Sequence, residues 1–321
     1  MLRFSKIKHL SDSYQGIVIA LGTFDGVHIG HQSILQRARE LAADIHGVSM
    51  AFTFQEHPLS VIFPERAPKM IRNTASKEAI IEKLGVDILM NVPFTKNFAA
   101  ISATGFLKLL QENFSPAYVV VGANYTFGFQ GTGDSAFLQQ RGEEFGFISR
   151  IGNSVLRDGK MVSSTRIRSL IAEGNLDLVN QYLKWPLDYT GIVTYGEQRG
   201  RKLGFPTANI ALDDSYALLP NGVYAVRVHF DDAVYPGVAN IGSNPTFEEV
   251  ERRLEVHLMQ FNGNLYGQKI CVDFLGKLRD EKKFPDVDAL VAQIHRDIEQ
   301  AQHFWDMPVH VGGMPYVEKK G

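Results

Sequence analysis

In the first half of the chain, short apolar runs alternate with stretches whose apolar positions recur every three or four residues. Residues 17–21 (IVIAL), 48–54 (VSMAFTF), 88–92 (ILMNV), 118–122 (YVVVG) and 147–151 (FISRI) read as strands. Between them, residues 32–39, 76–84, 104–112 and 135–145 carry helical spacing. Strands separated by helices form βαβ units, so the predicted fold is α/β with a parallel sheet. In such sheets ligands bind at the carboxyl ends of the strands.

Residues 167–173 and 175–184 read as two further helices, ended by Gly174 and by Trp185-Pro186. From Tyr189 the pattern changes. Residues 190–194, 222–230, 234–241, 253–260 and 269–275 are short strands with glycine turns, which predicts a small antiparallel β-barrel. A helix over 288–301 closes it, with Val291, Ile294, Ile298 and Ala301 on one face. The predicted domains are 1–186 and 187–305, followed by a loosely ordered tail, 306–321.

Composition narrows the picture. The 321 residues suit two domains, and 45% hydrophobic with 21% charged residues is ordinary for a globular protein. A net charge of −2 gives no reason to expect a nucleic-acid partner. Cys271 is the one cysteine, so no internal disulfide can form and the cytoplasm is the expected compartment. No apolar run approaches the roughly 20 residues that cross a bilayer, so no membrane partner is expected. Nothing in the sequence specifies an oligomeric state.

The candidate chemistry sits at strand ends. After the first strand, Gly22-Thr23-Phe24-Asp25-Gly26 breaks the run and His28-Ile29-Gly30-His31 opens a helix. A helix that starts at a glycine turn presents free N–H groups and the positive end of its dipole, a site for phosphate. Gly30 would let the backbone approach an anion, and His28 and His31 can donate to its oxygens. The strand before, the glycines around and the helix after favour this reading over two solvated histidines on a turn. His57-Pro58 and Gly122–Gly128 also follow strands and could meet at the same crevice. Ser163, Ser164 and Thr165 supply hydroxyls and a helix cap, and Arg166 and Arg168 can pair with phosphate; a capped surface helix is the competing reading.

In the second half, Gly196, Gly200 and Gly204 with Arg199, Arg201 and Lys202 form a cationic loop suited to phosphates, or a solvated hairpin turn. If the next stretch is extended, Thr207 and Asn209 share a face, and two neutral oxygens suit a Mg²⁺ held mainly by nucleotide phosphates. Glu255 alternates with His257 on one face of its strand. It is either a general base for a hydroxyl or a half-solvated strand residue, and periodicity does not separate the two.

These motifs, in this order, resemble the bacterial bifunctional riboflavin kinase/FAD synthetase family. The likeness rests on GTFDGVHIGH (22–31), VSSTRIR (162–168), GRKLGFPTAN (200–209), LEVH (254–257) and RDEKKF (279–284). It covers nearly the whole chain. The resemblance implies a nucleotidyltransferase domain that transfers AMP from ATP to FMN, giving FAD and pyrophosphate. It also implies a barrel domain that phosphorylates riboflavin with ATP. In the first domain, it implies that His28 and His31 stabilise the adenylyl-transfer transition state, and that Gly22, Phe24, Gly30, Ser163, Ser164, Thr165 and Arg166 bind ATP. Asn124 would lie near FMN. In the second, Gly200, Lys202, Thr207 and Asn209 would engage ATP, with Thr207 and Asn209 on Mg²⁺. Glu255 would be the base, and Arg279 and Phe284 would close the flavin pocket. The implied partners are small molecules: riboflavin, FMN, FAD and ATP. Two other readings share these motifs. One is another nucleotidyltransferase with a His-Ile-Gly-His signature, such as a class I aminoacyl-tRNA synthetase. The other is a non-catalytic flavin or nucleotide sensor.

Overall fold

The computed structural model describes residues 1–196, 200, 203–245 and 250–306. Its contacts divide the chain into two units.

The first unit comprises Met1–Met70 and Thr74–Ser164. Its main elements are β1 (Leu2–Phe4), β2 (Ile17–Leu21), α1 (Ile29–Asp44), β3 (Val48–Phe54), α2 (Thr74–Lys83), β4 (Ile88–Val92), α3 (Ala103–Phe114), β5 (Tyr118–Gly122), α4 (Ser135–Arg141) and β6 (Ile148–Gly152). All six strands are parallel, in the order β1-β4-β3-β2-β5-β6. The order runs away from β2 in both directions, so the topological switch point lies at the end of β2. Every residue of β2 is buried, as expected for a strand covered on both faces. On one face the Phe52 ring meets Phe54, Phe98, Phe106 and Phe114. Burying one such ring is worth about 1.5–3 kcal/mol. The edge strand β1 escapes the pattern because Leu2 is half exposed and the run is only three residues long.

The second unit comprises Ile71–Asn73 and the chain from Thr165 onward. Helices α5 (Ser164–Ala172) and α6 (Leu176–Leu183) lead to β7 (Leu187–Thr194), β8 (Ala208–Ala211), β9 (Gly222–Phe230), β10 (Ala233–Pro245), β11 (Val250–Leu258), β12 (Lys269–Arg279) and α7 (Val287–Trp305). The six strands close an antiparallel barrel in the order β7-β8-β11-β10-β9-β12. Tyr189, Val193, Ile210, Ile241, Leu254, Val256 and Phe274 are buried among its apolar residues.

The contacts place the division after Ser164, whereas the sequence pattern suggests 186. The Asn180 side chain ties α6 to the barrel: its Nδ2 donates to Phe274 O at 2.9 Å, and its Oδ1 accepts from Leu187 N at 2.9 Å. Arg72 forms an ion pair with Asp188 at the start of β7 and donates to Trp185 O at 3.2 Å and Pro186 O at 2.7 Å. Both charged side chains are buried.

The closing helix departs from its expected face. Its fully buried positions are Gln293, Asp297 and Ala301, four residues apart, with Val291, Ile294 and Ile298 half-buried beside them. The stripe is rotated because Asp297 takes the Arg279 guanidinium and Gln293 Nε2 donates to Asp297 at 2.7 Å. Residues 307–321 of the expected tail lie outside the described residues. Among the described residues, no helix is long and apolar enough to cross a membrane.

Candidate functional site

In the first unit a cavity of about 330 Å³ opens at the carboxyl ends of β2, β5 and β6. It lies at the switch point, and its size is within the range of small-molecule sites. Gly22 and Phe24 reach it from the end of β2, and Asn124 from the end of β5. His28, Gly30 and His31 come from the start of α1, and Ser163 and Ser164 from the start of α5. Thus eight of the expected residues converge. Thr165 and Arg166 do not line the cavity and fall in the other unit, where Arg166 pairs with Glu173 at 3.6 Å. His57 does not line it either. Its ring caps a short helix, Nδ1 accepting from Leu59 N at 3.2 Å.

The histidine turn differs from its expected form. The helix begins at Ile29, and His28 caps it: His28 Nδ1 accepts from Gly30 N at 3.2 Å and His31 N at 3.3 Å. Gln32 N donates to His28 O at 2.9 Å. These first-turn amides therefore serve the cap rather than standing open to an anion. With Nδ1 accepting, a neutral His28 carries its proton on Nε2, a donor. The His28 and His31 rings stack at 3.7 Å, and Phe24 meets His31 edge-on at 5.5 Å. The glycines make room for rings: a methyl at Gly30 would stand 3.1 Å from the His28 imidazole, and one at Gly22 2.8 Å from the Phe24 ring.

The turn is held in a costly backbone. Phe24 (φ 48°) and Val27 (φ 45°) are both left-handed. For a β-branched residue this is a real outlier, and such positions cost about 1–3 kcal/mol each. Three hydroxyl or amide bonds hold it. Thr53 Oγ1 donates to Thr23 O at 2.9 Å, Ser164 Oγ to Asp25 O at 3.1 Å and Gln32 Nε2 to Val27 O at 2.8 Å. The Ser164 hydroxyl proton is thus committed to the turn. Asn124 is exposed at the cavity wall, its amide 3.8 Å from Met161 Sδ.

In the second unit, strand register assembles a separate row. Asn209 of β8 pairs with Glu255 of β11, which pairs with Asn240 of β10. Residues directly opposite across antiparallel strands are in side-chain contact range. Their strand neighbours, Ile210, Leu254 and Ile241, are buried in the barrel, so the polar row occupies the outer face. Asn209 is 7% exposed, its Nδ2 donating to Thr207 O at 3.4 Å. Gly196 lies against its carboxamide, where a methyl would stand 2.5 Å away. His257, on the face of Glu255, donates from Nδ1 to Pro206 O at 2.8 Å and fixes the Pro206-Thr207 backbone. Gly200 O accepts from Leu203 N at 3.0 Å and Phe205 N at 2.9 Å, closing the turn before that strand. Lys202 lies outside the described residues.

Arg279 and Phe284 have a structural setting. Arg279 binds Asp297 through Nε and Nη2 at 2.8–3.1 Å, donates to Asp280 O at 3.0 Å, and lies over the Phe284 ring at 5.6 Å. Lys282 Nζ also stands 5.2 Å from that ring and donates to Gln293 at 2.7 Å. Among the described residues, no three His, Cys, Asp or Glu side chains gather to hold a metal ion. The neutral oxygens of Thr207 and Asn209, with Glu255 beside them, suit a cation that arrives with nucleotide phosphates.

Comparisons with known proteins follow the same division. The family model described as FAD synthetase matches residues 10–166, and the one described as riboflavin kinase matches 183–305. The bifunctional riboflavin kinase/FMN adenylyltransferase of Escherichia coli K12 is 36% identical over 304 residues, 94% of this chain and 97% of the relative. The chain belongs to this family. The bifunctional riboflavin kinase/FMN adenylyltransferases of Haemophilus influenzae and Bacillus subtilis are each 35% identical, over 91% and 90% of the chain and 95% and 92% of their own lengths. A solved structure described as a macrolide-efflux protein from Streptococcus pneumoniae matches with TM-score 0.84 at 31% identity, covering 94% of this chain and 99% of that one. Family membership makes this chain a riboflavin kinase and FMN adenylyltransferase.

Proposed function

We propose that the two activities are divided between the units: adenylyl transfer to FMN in the cavity of the first, riboflavin phosphorylation on the Asn209–Glu255 row of the second. The observation that carries this is the convergence of His28, His31, Asn124 and Ser163 on one cavity, with Glu255 paired to Asn209 on separate strands elsewhere.

In the first reaction, a phosphate oxygen of FMN attacks the α-phosphorus of ATP, and the bond to the leaving pyrophosphate breaks. No covalent enzyme intermediate is needed, so positioning and charge stabilisation do the work. The imidazole N–H groups of His28 and His31 stabilise charge on the α-phosphate and leaving group. Ser163 contacts the ATP phosphates, Gly22, Phe24 and Gly30 shape the nucleotide pocket, and Asn124 borders FMN. In the second reaction, Glu255 takes the proton of the ribityl 5′-hydroxyl, the oxygen attacks the γ-phosphorus, and ADP leaves. Thr207 and Asn209 would hold the Mg²⁺ of Mg²⁺–ATP, with Gly200 beside its phosphates. Mg²⁺ supplies charge neutralisation on the phosphates. Arg279 and Phe284 border the flavin, and the enzyme works in the cytoplasm.

The test is incubation of purified protein with riboflavin, ATP and Mg²⁺, with separation of the flavins over time. FMN should rise first and FAD follow. FAD formation from supplied FMN should persist in Glu255→Gln. Loss of both activities in that variant would sink the division of labour.

A further inference from the structure

Lys77 is a buried cation that neither reaction uses. It lies in the first turn of α2 and is 2% exposed. Its Nζ donates to the carbonyl of Phe54 at 2.5 Å, the last residue of β3, on the carboxyl-end side of the parallel sheet. α2 packs against the turn Asp25–Val27 that leads into the histidines. The Asp25 residue there is itself 1% exposed. A buried lysine and a buried aspartate are each costly unless they compensate one another. Asp25 belongs to the turn with left-handed Phe24 and Val27, a conformation its surroundings must enforce.

We propose that Lys77 is a positioning residue for adenylyl transfer: its ammonium, anchored on Phe54 O, faces buried Asp25 and holds the strained turn that aims His28 and His31 into the cavity. This rests on the assignment of adenylyl transfer to that cavity. The charges acting on Lys77 are Asp25 from the turn, Glu78 from its own helix and Glu56 from the segment after β3. Glu78 is held by Asn91 Nδ2 at 2.7 Å and lies 3.6 Å from Arg3, and Glu56 accepts from Phe94 N at 3.1 Å. Burial pulls the Lys77 ammonium down to about 8, against the opposing pull of Asp25, Glu78 and Glu56. Above that pH the ammonium loses its charge and its hold on Asp25. Adenylyl transfer by the native enzyme should therefore fall on the alkaline side of about pH 8, while riboflavin phosphorylation, in the other unit, keeps its own profile.

The experiment uses the full chain and measures kcat for FAD formation from ATP and FMN between pH 6.5 and 9.5, with riboflavin phosphorylation in parallel. In Lys77→Met, kcat for adenylyl transfer should drop by about tenfold to a hundredfold, as for other misplacements of catalytic groups. Its alkaline limb should vanish, with phosphorylation unchanged. In Asp25→Asn, removal of the charge that raises the lysine should move the limb to lower pH. A Lys77→Met enzyme that is slower but keeps the native limb has lost only structure, and the proposal falls. If that variant does not fold, Asp25→Asn decides: a limb that stays where it is in the native enzyme overturns the proposal. A native enzyme with no adenylyl transfer would instead overturn the assigned function, before any variant is read.

Discussion

Arg72→Met is the sharpest test of how the second unit is built. Arg72 and Asp188 are both buried, and the arginine also serves the carbonyls of Trp185 and Pro186. Methionine keeps much of the volume but leaves a carboxylate at Asp188 without its cation. Removing one partner of a buried pair costs about 3–5 kcal/mol. For a unit of this size each kcal/mol lowers the melting temperature by about 2–4 °C, so the expected fall is about 6–20 °C. Thermal unfolding of the full chain measures it. Riboflavin phosphorylation remaining after graded heating reads the second unit separately. The double variant Arg72→Met/Asp188→Leu should recover much of the loss, because no charge is left buried alone. A single variant that melts within a degree of the native protein would refute the reasoning. So would a double variant as unstable as the two single losses added together.

Three further outcomes are expected. Glu255→Gln should lower riboflavin phosphorylation by about 10²–10⁴-fold, the usual contribution of a general base, with FAD formation from FMN kept. An assay of each reaction with its own substrate separates the two. His28→Ala removes both a transition-state donor and a helix cap. It should lower adenylyl transfer by about 10²–10³-fold and stability of the first unit by about 0.5–2 kcal/mol, with phosphorylation kept. Normal FAD synthesis there would remove the role given to the histidine turn. Asp297→Asn breaks the bidentate Arg279 pair and should cost about 3 kcal/mol by denaturant unfolding, raising the KM for riboflavin as residues 279–284 loosen. An unchanged KM would detach that segment from the flavin.

The parallel sheet was legible because its strands are buried on both faces and read as continuous apolar runs. The barrel was legible because its strands alternate. What escaped was set by partners far along the chain. β1 is an edge strand with little to bury, so it left no pattern. The attachment of residues 176–188 to the barrel involves Asn180 and Arg72, polar side chains whose targets lie 94 and 116 residues away, at Phe274 and Asp188. The buried face of α7 was misread for the same reason: Gln293 and Asp297 look solvated until Arg279 is placed over them. At the cavity, eight of the motif residues line one pocket, but the part each plays there could not be read from the motif. A His-x-Gly-His stretch suggested open amides, whereas the first histidine closes them with its own ring. Lys77 gave no signal at all, since a lysine near the start of a helix usually faces water.

The two candidate sites are held in different ways, and this bears on how each would fail. The Asn209–Glu255 row rests on strand register in a closed barrel, where a backbone position cannot shift along its strand without slipping a whole ladder. Its geometry should survive most distant substitutions, and its rate should respond chiefly to changes in the row itself. The histidine turn rests on left-handed Phe24 and Val27, kept in place by bonds from Thr53, Gln32 and Ser164, with the α2 lysine packed behind. A strained backbone relaxes when its restraints are removed one at a time. Adenylyl transfer should therefore be the more fragile of the two activities. Substitutions at Thr53 or Lys77, which do not line the cavity, should slow it while phosphorylation continues.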